Sequence, residues 1–582
     1  MPTLNLFEFG DNSIGGALYT ISNMDMTTIT SSTATEIVMT DGFGLSFVIT
    51  GTGFTVTTIN GVQYINSGTI DSILVDYYGT PYYEFDSLAM TGATLRNALR
   101  ADIEGTNQRA LEDLFRKLTY TFQGDANNYT SHYSSVVSYE GFTLDPTRNN
   151  TYLLGSASDY IYGAGAGNDT MWAGDGYDYL YGNDGNDEMH GEGNDDQMYG
   201  GRGNDFLYGG IGYNGLDGGD GQDSLVVGDE GYANGGAGHD TIYGGFYYNS
   251  GITGGLGNDL IYVNDTAAAT YGGAGNDTVY GGAGSNTAYG ENGADRLYGG
   301  SSSDSFYGGE GNDIIDGGAG GYDNLDGGEG DDRLTSTSAD GVTLNGGEGN
   351  DRAYGGSGGD YIYAGEGNDT GEGGAGFDYM TGEGGFDLLS GGSGNDTLYG
   401  GDDSDTLAGD ANEDFLGGDG GSDSLDGGAA NDTLYGGSGN DTLSGGTGND
   451  SLLGESGADL LYGNDNNDYL DGAGGSDIIV GGLGRDTMYG GSGADTFLFT
   501  ALADAAVSRD AIMDFQSGVD VVSFAGLGLT YVTGAFTGAM QIRYSSGASR
   551  LQIDENGDGI ADYQIDLMGL GTAFDALTDL IL

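Results

Sequence analysis

From Asp351 to Asp495 an aspartate stands at every ninth position: Asp351, Asp360, Asp369, Asp378, Asp387, Asp396, Asp405, Asp414, Asp423, Asp432, Asp441, Asp450, Asp459, Asp468, Asp477, Asp486 and Asp495, seventeen in succession. An earlier block holds Asp169, Asp178, Asp187, Asp196 and Asp205, then Asn214 in the next slot, then Asp223. Between the blocks the beat loosens to intervals of 17, 19 and 18 through Asp240, Asp259 and Asp277, followed by Asp295, Asp304, Asp313 and Asp332. Each aspartate sits in a stretch such as GGSGNDTLS (436–444). Glycine permits the positive φ and close backbone approach of a tight turn, in which several carbonyl oxygens can face one centre. The carboxylate adds further hard oxygens. The chemistry that such a turn supports is ligation of a hard cation.

Calcium suits this donor set. It takes six to eight oxygens at adaptable angles, whereas magnesium requires a tight octahedron and retains water. One turn cannot supply that many oxygens, but two stacked turns can. Where the beat loosens, as in GGFYYNSGITGG (244–255), the alternate nine-residue unit loses its aspartate while the eighteen-residue unit persists. Eighteen residues therefore make one full turn of a coil. Each ion is expected between aspartates eighteen apart, Asp441 with Asp459 and Asp450 with Asp468. Bulk charge agrees. The net charge is −75 with only 14 Lys and Arg, so multivalent cations must supply the counter-charge that compaction requires. Roughly two dozen or more calcium ions are expected, each site of affinity on the order of 10⁻⁴–10⁻³ M.

The elements that position the turns follow from the same repeat. In TLS (442–444) Leu443 points inward while Thr442 and Ser444 point out, a three-residue strand. Stacked turns give two short parallel sheets around a thin aliphatic core, spanning 151–497. Residues 1–150 differ in composition. FVITGTGFTVTTI (47–59) alternates like half-buried strands, and 94–118 carries the stripes Leu95, Leu99, Ile103 and Leu111, Leu114, Leu118 of helices interrupted at Gly105. Residues 498–582 return to strand-like alternation in DVVSFAGL (520–527) and MQIRYSS (540–546). The fold class is all-β dominated: a parallel β-roll with a small N-terminal α+β domain and a β-rich C-terminal cap.

GGSGNDTLS and its relatives resemble the nonapeptide of RTX (repeats-in-toxin) proteins. The resemblance implies a right-handed parallel β-roll, calcium at the turns, and export by a type I secretion apparatus. Residues 494–520, ADTFLFTALADAAVSRDAIMDFQSGVD, are similar to the C-terminal domain of serralysin-type metalloproteases, and Asp579-Leu580-Ile581-Leu582 resembles that family's uncleaved secretion signal. DENGDGIAD (554–562) resembles the start of an EF-hand loop through Asp554, Asn556, Asp558, Gly559 and Asp562, but the twelfth position is Ile565 instead of Glu. That loop is either a further calcium site or a hydrogen-bonded turn.

Several classes are excluded or disfavoured. The chain has no Cys, which removes disulfide scaffolds and thiolate metal sites. It has no basic patch for nucleic acid, and no apolar run long enough for a transmembrane segment or an N-terminal signal peptide. The serralysin HExxH motif is absent. His190 and His239 are expected on the roll surface, and His132 has no companion ligand, so the chain is read as no enzyme. Tyr recurs three places after Asp, so Tyr280/Tyr298 and Tyr289/Tyr307 are expected to stack as ladders; the outward tyrosines serve either strand propensity or a sticky surface. Arg96, Arg100, Arg109, Arg116 and Lys117 form a basic cluster, either a solvated helix face or a dock for an acidic surface. The expected function is a secreted, calcium-binding structural protein of the cell surface, of S-layer, filament or matrix type, which self-associates. A calcium-dependent adhesin that binds cell-surface polysaccharide is the alternative, and an extracellular hydrolase is a third.

Overall fold

The computed structural model describes residues 166–263, 269–502, 509–569 and 574–582; upstream of these it describes the backbone of strands between 29 and 162. Chain contacts divide the protein into two compact units, residues 1–279 and 280–582. The expected helices at 94–118, the basic cluster Arg96–Lys117 and His132 lie outside the described residues.

The first unit opens with an antiparallel meander of Ile29–Ser32, Glu36–Thr40, Leu45–Ile59, Val62–Tyr77 and Thr80–Thr91, in sheet order as in sequence. The alternating stretch 47–59 lies in its third strand, paired Val48 to Leu74. Parallel pairing begins before the first repeat aspartate. Thr121–Gln123 pairs with Thr151–Leu153, which pairs with Thr170–Asp175. From there each strand pairs with the strand one coil later, Met171 beside Met189 in one sheet and Leu180 beside Met198 in the other. Where the aspartate is lost, strands lengthen in its place: Tyr213–Asp220, Glu230–Ala237 and Tyr248–Leu256 have 8, 8 and 9 residues.

In the second unit the same two parallel sheets recur, with Leu443 beside Leu461 in one and Leu434 beside Leu452 in the other. Many strands are six residues long, not three. Thr442–Thr447 continues through Gly445, whose backbone faces inward, and Gly446. A side chain at Gly445 would occupy the space of the following aspartate, so glycine lets the ladder continue to the turn. The residue two places after each aspartate is fully buried, as at Leu389, Leu407, Leu443 and Leu461, so the core is one aliphatic side chain thick per half-turn. At the C-terminal end the core broadens into Phe497, Phe499, Phe515 and Phe524, all buried. Gln541–Ser545, Arg550–Asp554 and Tyr563–Leu567 form antiparallel hairpins, and the last of these strands also pairs in parallel with Ala511–Ile512. This hairpin covers a sheet edge that would otherwise stay open for pairing. Among the described residues the architecture is all-β, and no helix is long and apolar enough to cross a membrane.

Candidate metal-binding columns

The aspartates stack into columns, one at each edge of the sheets. In the second unit one column runs from Asp295 through Asp313, Asp332 and Asp351 to Asp495. The other runs from Asn286 through Asp304 and, after Val342, through Asp360 to Asp486. The first unit carries Asp169, Asp187, Asp205, Asp223, Asp240, Asp259 and Asp277 in one column, and Asp178, Asp196 and Asn214 in the other. Each side chain reaches back one coil. Asp459 Oδ1 accepts the N–H of Asp441 at 2.9 Å, and Asp468 Oδ1 that of Asp450 at 2.8 Å. The pairs expected to share an ion are therefore direct neighbours.

The second carboxylate oxygen is the chemically important one. For every aspartate of the nine-residue series from Asp351 to Asp477, Oδ2 is buried and accepts no hydrogen bond. The same holds for Asp187, Asp196, Asp205, Asp223, Asp240, Asp259, Asp313 and Asp332. A buried anionic oxygen without a donor is costly, and a whole column of them is untenable without positive charge. At many turns a main-chain carbonyl joins this oxygen. A Cβ built on Gly436 would lie 2.6 Å from Asp441 Oδ2 and 2.7 Å from the Gly454 carbonyl oxygen one coil on. Two acceptors thus meet over the first glycine with no donor between them. Among the described residues no three His, Cys, Asp or Glu side chains converge on a metal site. A cation here must draw most of its ligands from main-chain carbonyls, the donor set that suits calcium. These residues fit the ion.

Electrostatics agree. Burial pushes the carboxyls of Asp332, Asp414 and Asp468 up to about 8; the N–H bond from one coil before offsets part of this, and stacked like charges add to it.

The glycines have separate jobs. At Gly439, with φ +143°, an added Cβ would lie 1.2 Å from the Gly421 carbonyl one coil earlier, so stacked turns touch there through backbone alone. Where the residue before the aspartate is Asn, it runs a second ladder in the opposite direction. Asn449 Oδ1 accepts the N–H of Asn467 one coil later, and Asn431 Oδ1 that of Asn449. His239, in the place of that Asn, accepts the N–H of Asn258 on Nδ1 at 2.6 Å. His190 lies half-buried on the surface beside Trp172, 3.0 Å from Glu188 Oε1.

Three column members escape the nine-residue count. Asp323 Oδ1 accepts the Asp304 N–H; Asp510 and Asp520 accept those of Asp486 and Asp495, across 24 and 25 residues. Insertions shift them out of register in sequence, and the signal that could have found them is the apolar residue two places on, Leu325, Ile512 and Val522. The 554–562 loop is closed by its own bonds. Asp554 accepts the N–H groups of Gly557 and Gly559, Asp562 those of Glu555 and Asn556, and Asp558 that of Ile560. These oxygens have donors, unlike the Oδ2 atoms of the columns. The tyrosine ladders form as expected, with Tyr280/Tyr298 stacked at 5.0 Å and Tyr289/Tyr307 at 4.8 Å.

Comparison with known proteins gives the same answer. No curated protein matches the chain. Among solved structures, the solution structure of the AlgE6R3 subunit from the Azotobacter vinelandii mannuronan C5-epimerase is similar at 27% identity, over 27% of this chain and 80% of that one, with a TM-score of 0.18, too low to carry an argument. The RTX calcium-binding nonapeptide repeat family matches in overlapping windows spanning residues 148–225, 232–246, 271–321 and 345–501. Matched over more than half of its length, this chain belongs to the RTX calcium-binding nonapeptide repeat family.

Proposed function

We propose that this protein is a secreted structural component of the cell surface whose fold is completed by extracellular calcium. The observation that carries the reading is the column of buried, donorless Oδ2 atoms. Without divalent ions the columns and the net charge of −75 oppose compaction; with them, each coil is tied to the next. Asp169 to Asp495 in the series above are the proposed ligands, each ion shared between aspartates one coil apart and completed by carbonyls such as that of Gly454. At roughly 1–2 kcal/mol per site in millimolar calcium, some two dozen sites supply tens of kcal/mol, enough to hold a core one side chain thick. Such a chain stays unfolded where calcium is scarce, which suits threading through a type I secretion channel. Self-association into a layer or filament is the proposed role, supported by the outward aromatic ladders and by the share of the chain given to the repeat. Electron microscopy with and without calcium tests it. Ordered sheets or fibres that appear only with calcium support the proposal, and dispersed monomers under both conditions overturn it.

A further inference from the structure

The second unit carries an unusual stripe on one outer sheet face. Four adjacent strands, Arg296–Tyr298, Ile314–Asp316, Arg333–Thr335 and Arg352–Gly356, lie in parallel register with Arg296 beside Ile314, Ile314 beside Arg333, and Arg333 beside Arg352. The three arginines are exposed. Neighbouring strands are about 4.8 Å apart, so Arg333 and Arg352 stand one strand spacing from each other and Arg296 two from Arg333. In a chain with 89 acidic residues and 14 Lys and Arg, Arg333 and Arg352 stand on neighbouring strands, and Arg296 stands one strand further on, beyond Ile314. Arg202 and Arg550 show what pairing looks like here, to Asp184, Asp220 and Asp566. None of Arg296, Arg333 and Arg352 has a carboxylate within ion-pair distance among the described residues. Two acidic groups lie beside the stripe: bonds from Asn350 and, to a lesser extent, the Arg352 charge hold the Asp331 carboxyl below its usual range, and Asp316 stands in register between Tyr298 and Thr335. Asp331 accepts both the N–H and the side-chain amide of Asn350, and Asp316 accepts the N–H of Gly318.

Two tyrosines flank the cations. Tyr298 and Tyr354 lie two residues after Arg296 and Arg352, on the same outer face, and the Arg333 guanidinium lies 5.7 Å from the centre of the Tyr354 ring. Guanidinium groups bind carboxylates through two parallel N–H donors, and an aromatic face packs against the apolar face of a sugar ring. Like-charged arginines at strand spacing repel one another unless an anion lies across them. A linear polymer with a carboxylate on successive rings supplies anions at intervals along one line, which a compact anion does not.

We infer that the Arg296/Arg333/Arg352 stripe with Tyr298 and Tyr354 is a binding site for a linear acidic polysaccharide bearing uronate carboxylates. The competing occupant is the acidic surface of a second copy of this chain. It would engage the arginines but brings no sugar ring to Tyr298 or Tyr354, one of whose faces is taken by Tyr280 and by the Arg333 guanidinium respectively.

Calorimetric titration of the full, calcium-loaded chain with oligogalacturonates too short to gel with calcium tests the inference, with neutral malto-oligosaccharides as control. Expected are binding of the acidic oligomer alone, weakening with added salt, and a loss of about tenfold or more in R333Q/R352Q. R333K/R352K keeps the charge and loses the fork; it should bind more weakly than the parent and more tightly than the glutamine pair, and it covers the case in which the glutamine pair disturbs the roll. Absence of binding by the parent overturns the inference, as does equal binding by all three proteins. Self-association in sedimentation that is lost in the variants, with oligogalacturonate binding unchanged, assigns the stripe to a second copy and overturns it as well.

Discussion

The main-chain N–H of Asp441 donates to Oδ1 of Asp459 at 2.9 Å, and Oδ2 of Asp459 is buried with no donor. One oxygen of the carboxylate is thus committed to joining two coils, while the other is kept for a cation. This division predicts unequal substitutions. Asp459→Asn keeps an acceptor for the Asp441 N–H but removes the anionic oxygen. Its cost should appear mainly as a higher calcium concentration at the folding midpoint, with about 1–2 kcal/mol lost at saturating calcium. Asp459→Ala removes both and should cost about 1 kcal/mol more. Equal effects in a calcium titration followed by circular dichroism would show that the two oxygens are not so divided.

Removal of calcium by chelator at pH 8 should abolish most of the β-sheet signal and expand the chain. Small-angle scattering should report a radius approaching that of an unfolded polymer of this length. A compact, β-rich protein after complete chelation would refute the claim that ions hold the coils together.

Proton competition has a definite sign. Burial raises the carboxyls of Asp378, Asp405, Asp432 and Asp477 from 3.8 to about 7, and those of Asp414 and Asp468 to about 8. The metal-free fold therefore holds more protons than the unfolded chain. Its stability is greatest below the unfolded value of 3.8 and declines as pH rises from there to the folded values of about 7 to 8. Above about pH 5 the unfolded, calcium-free chain and the calcium-loaded fold both carry ionised carboxylates, so the calcium midpoint of folding should change little between pH 6 and pH 8. A midpoint that falls steeply across that interval would contradict this.

The first glycine of each turn should be sensitive to size. Ala173 and Ala364 stand at places equivalent to Gly436, but here an added Cβ would lie 2.6 Å from Asp441 Oδ2 and 2.7 Å from the Gly454 carbonyl oxygen, so Gly436→Ala should raise the calcium midpoint, though less than valine does. Gly436→Val places γ-carbons where Asp441 Oδ2 and the Gly454 carbonyl converge. It should eliminate one ion and cost about 2–4 kcal/mol, read as a lower melting temperature in calcium. Thr442→Val, on the outer face, should change little.

The C-terminal edge rests on Asp579, which accepts from Ser517 Oγ, Gly518 N, Asp575 N and Thr578 Oγ1 and is fully buried. Asp579→Ala leaves those donors unmatched and should cost about 2–3 kcal/mol. Hydrogen exchange should rise first in Val521–Ser523 and Leu580–Ile581, which pair with each other.

Much of this was legible without coordinates because the repeat imposes one local answer many times over. The aspartate at each ninth place, Leu443 two places after Asp441, and the coupling of Asp441 with Asp459 all follow from period alone, since a coil of eighteen residues stacks residue on residue. Asp323, Asp510 and Asp520 were not legible, because insertions displace them in the count and only parallel pairing restores their register. The continuation of strands through Gly445 was hidden for a related reason: what allows it is the position of an aspartate carboxylate, not a local propensity. The opposed ladders of Asn449 and Asp450, one reaching forward and its neighbour back, follow from rotamers set by the stacked turns.

The sequence by itself determined the chemistry and the coil: hard-oxygen turns, glycine at each bend, an aliphatic residue inward, and a charge that demands cations. Only the tertiary structure decided which carboxylate oxygen is spent on the backbone and which is left for the ion. It also decided that Arg296, Arg333 and Arg352, scattered over 57 positions, fall in one register line across four strands of one face. Direction and adjacency across coils depend on which main-chain N–H lies opposite each side chain, and that exists only once the coils are stacked.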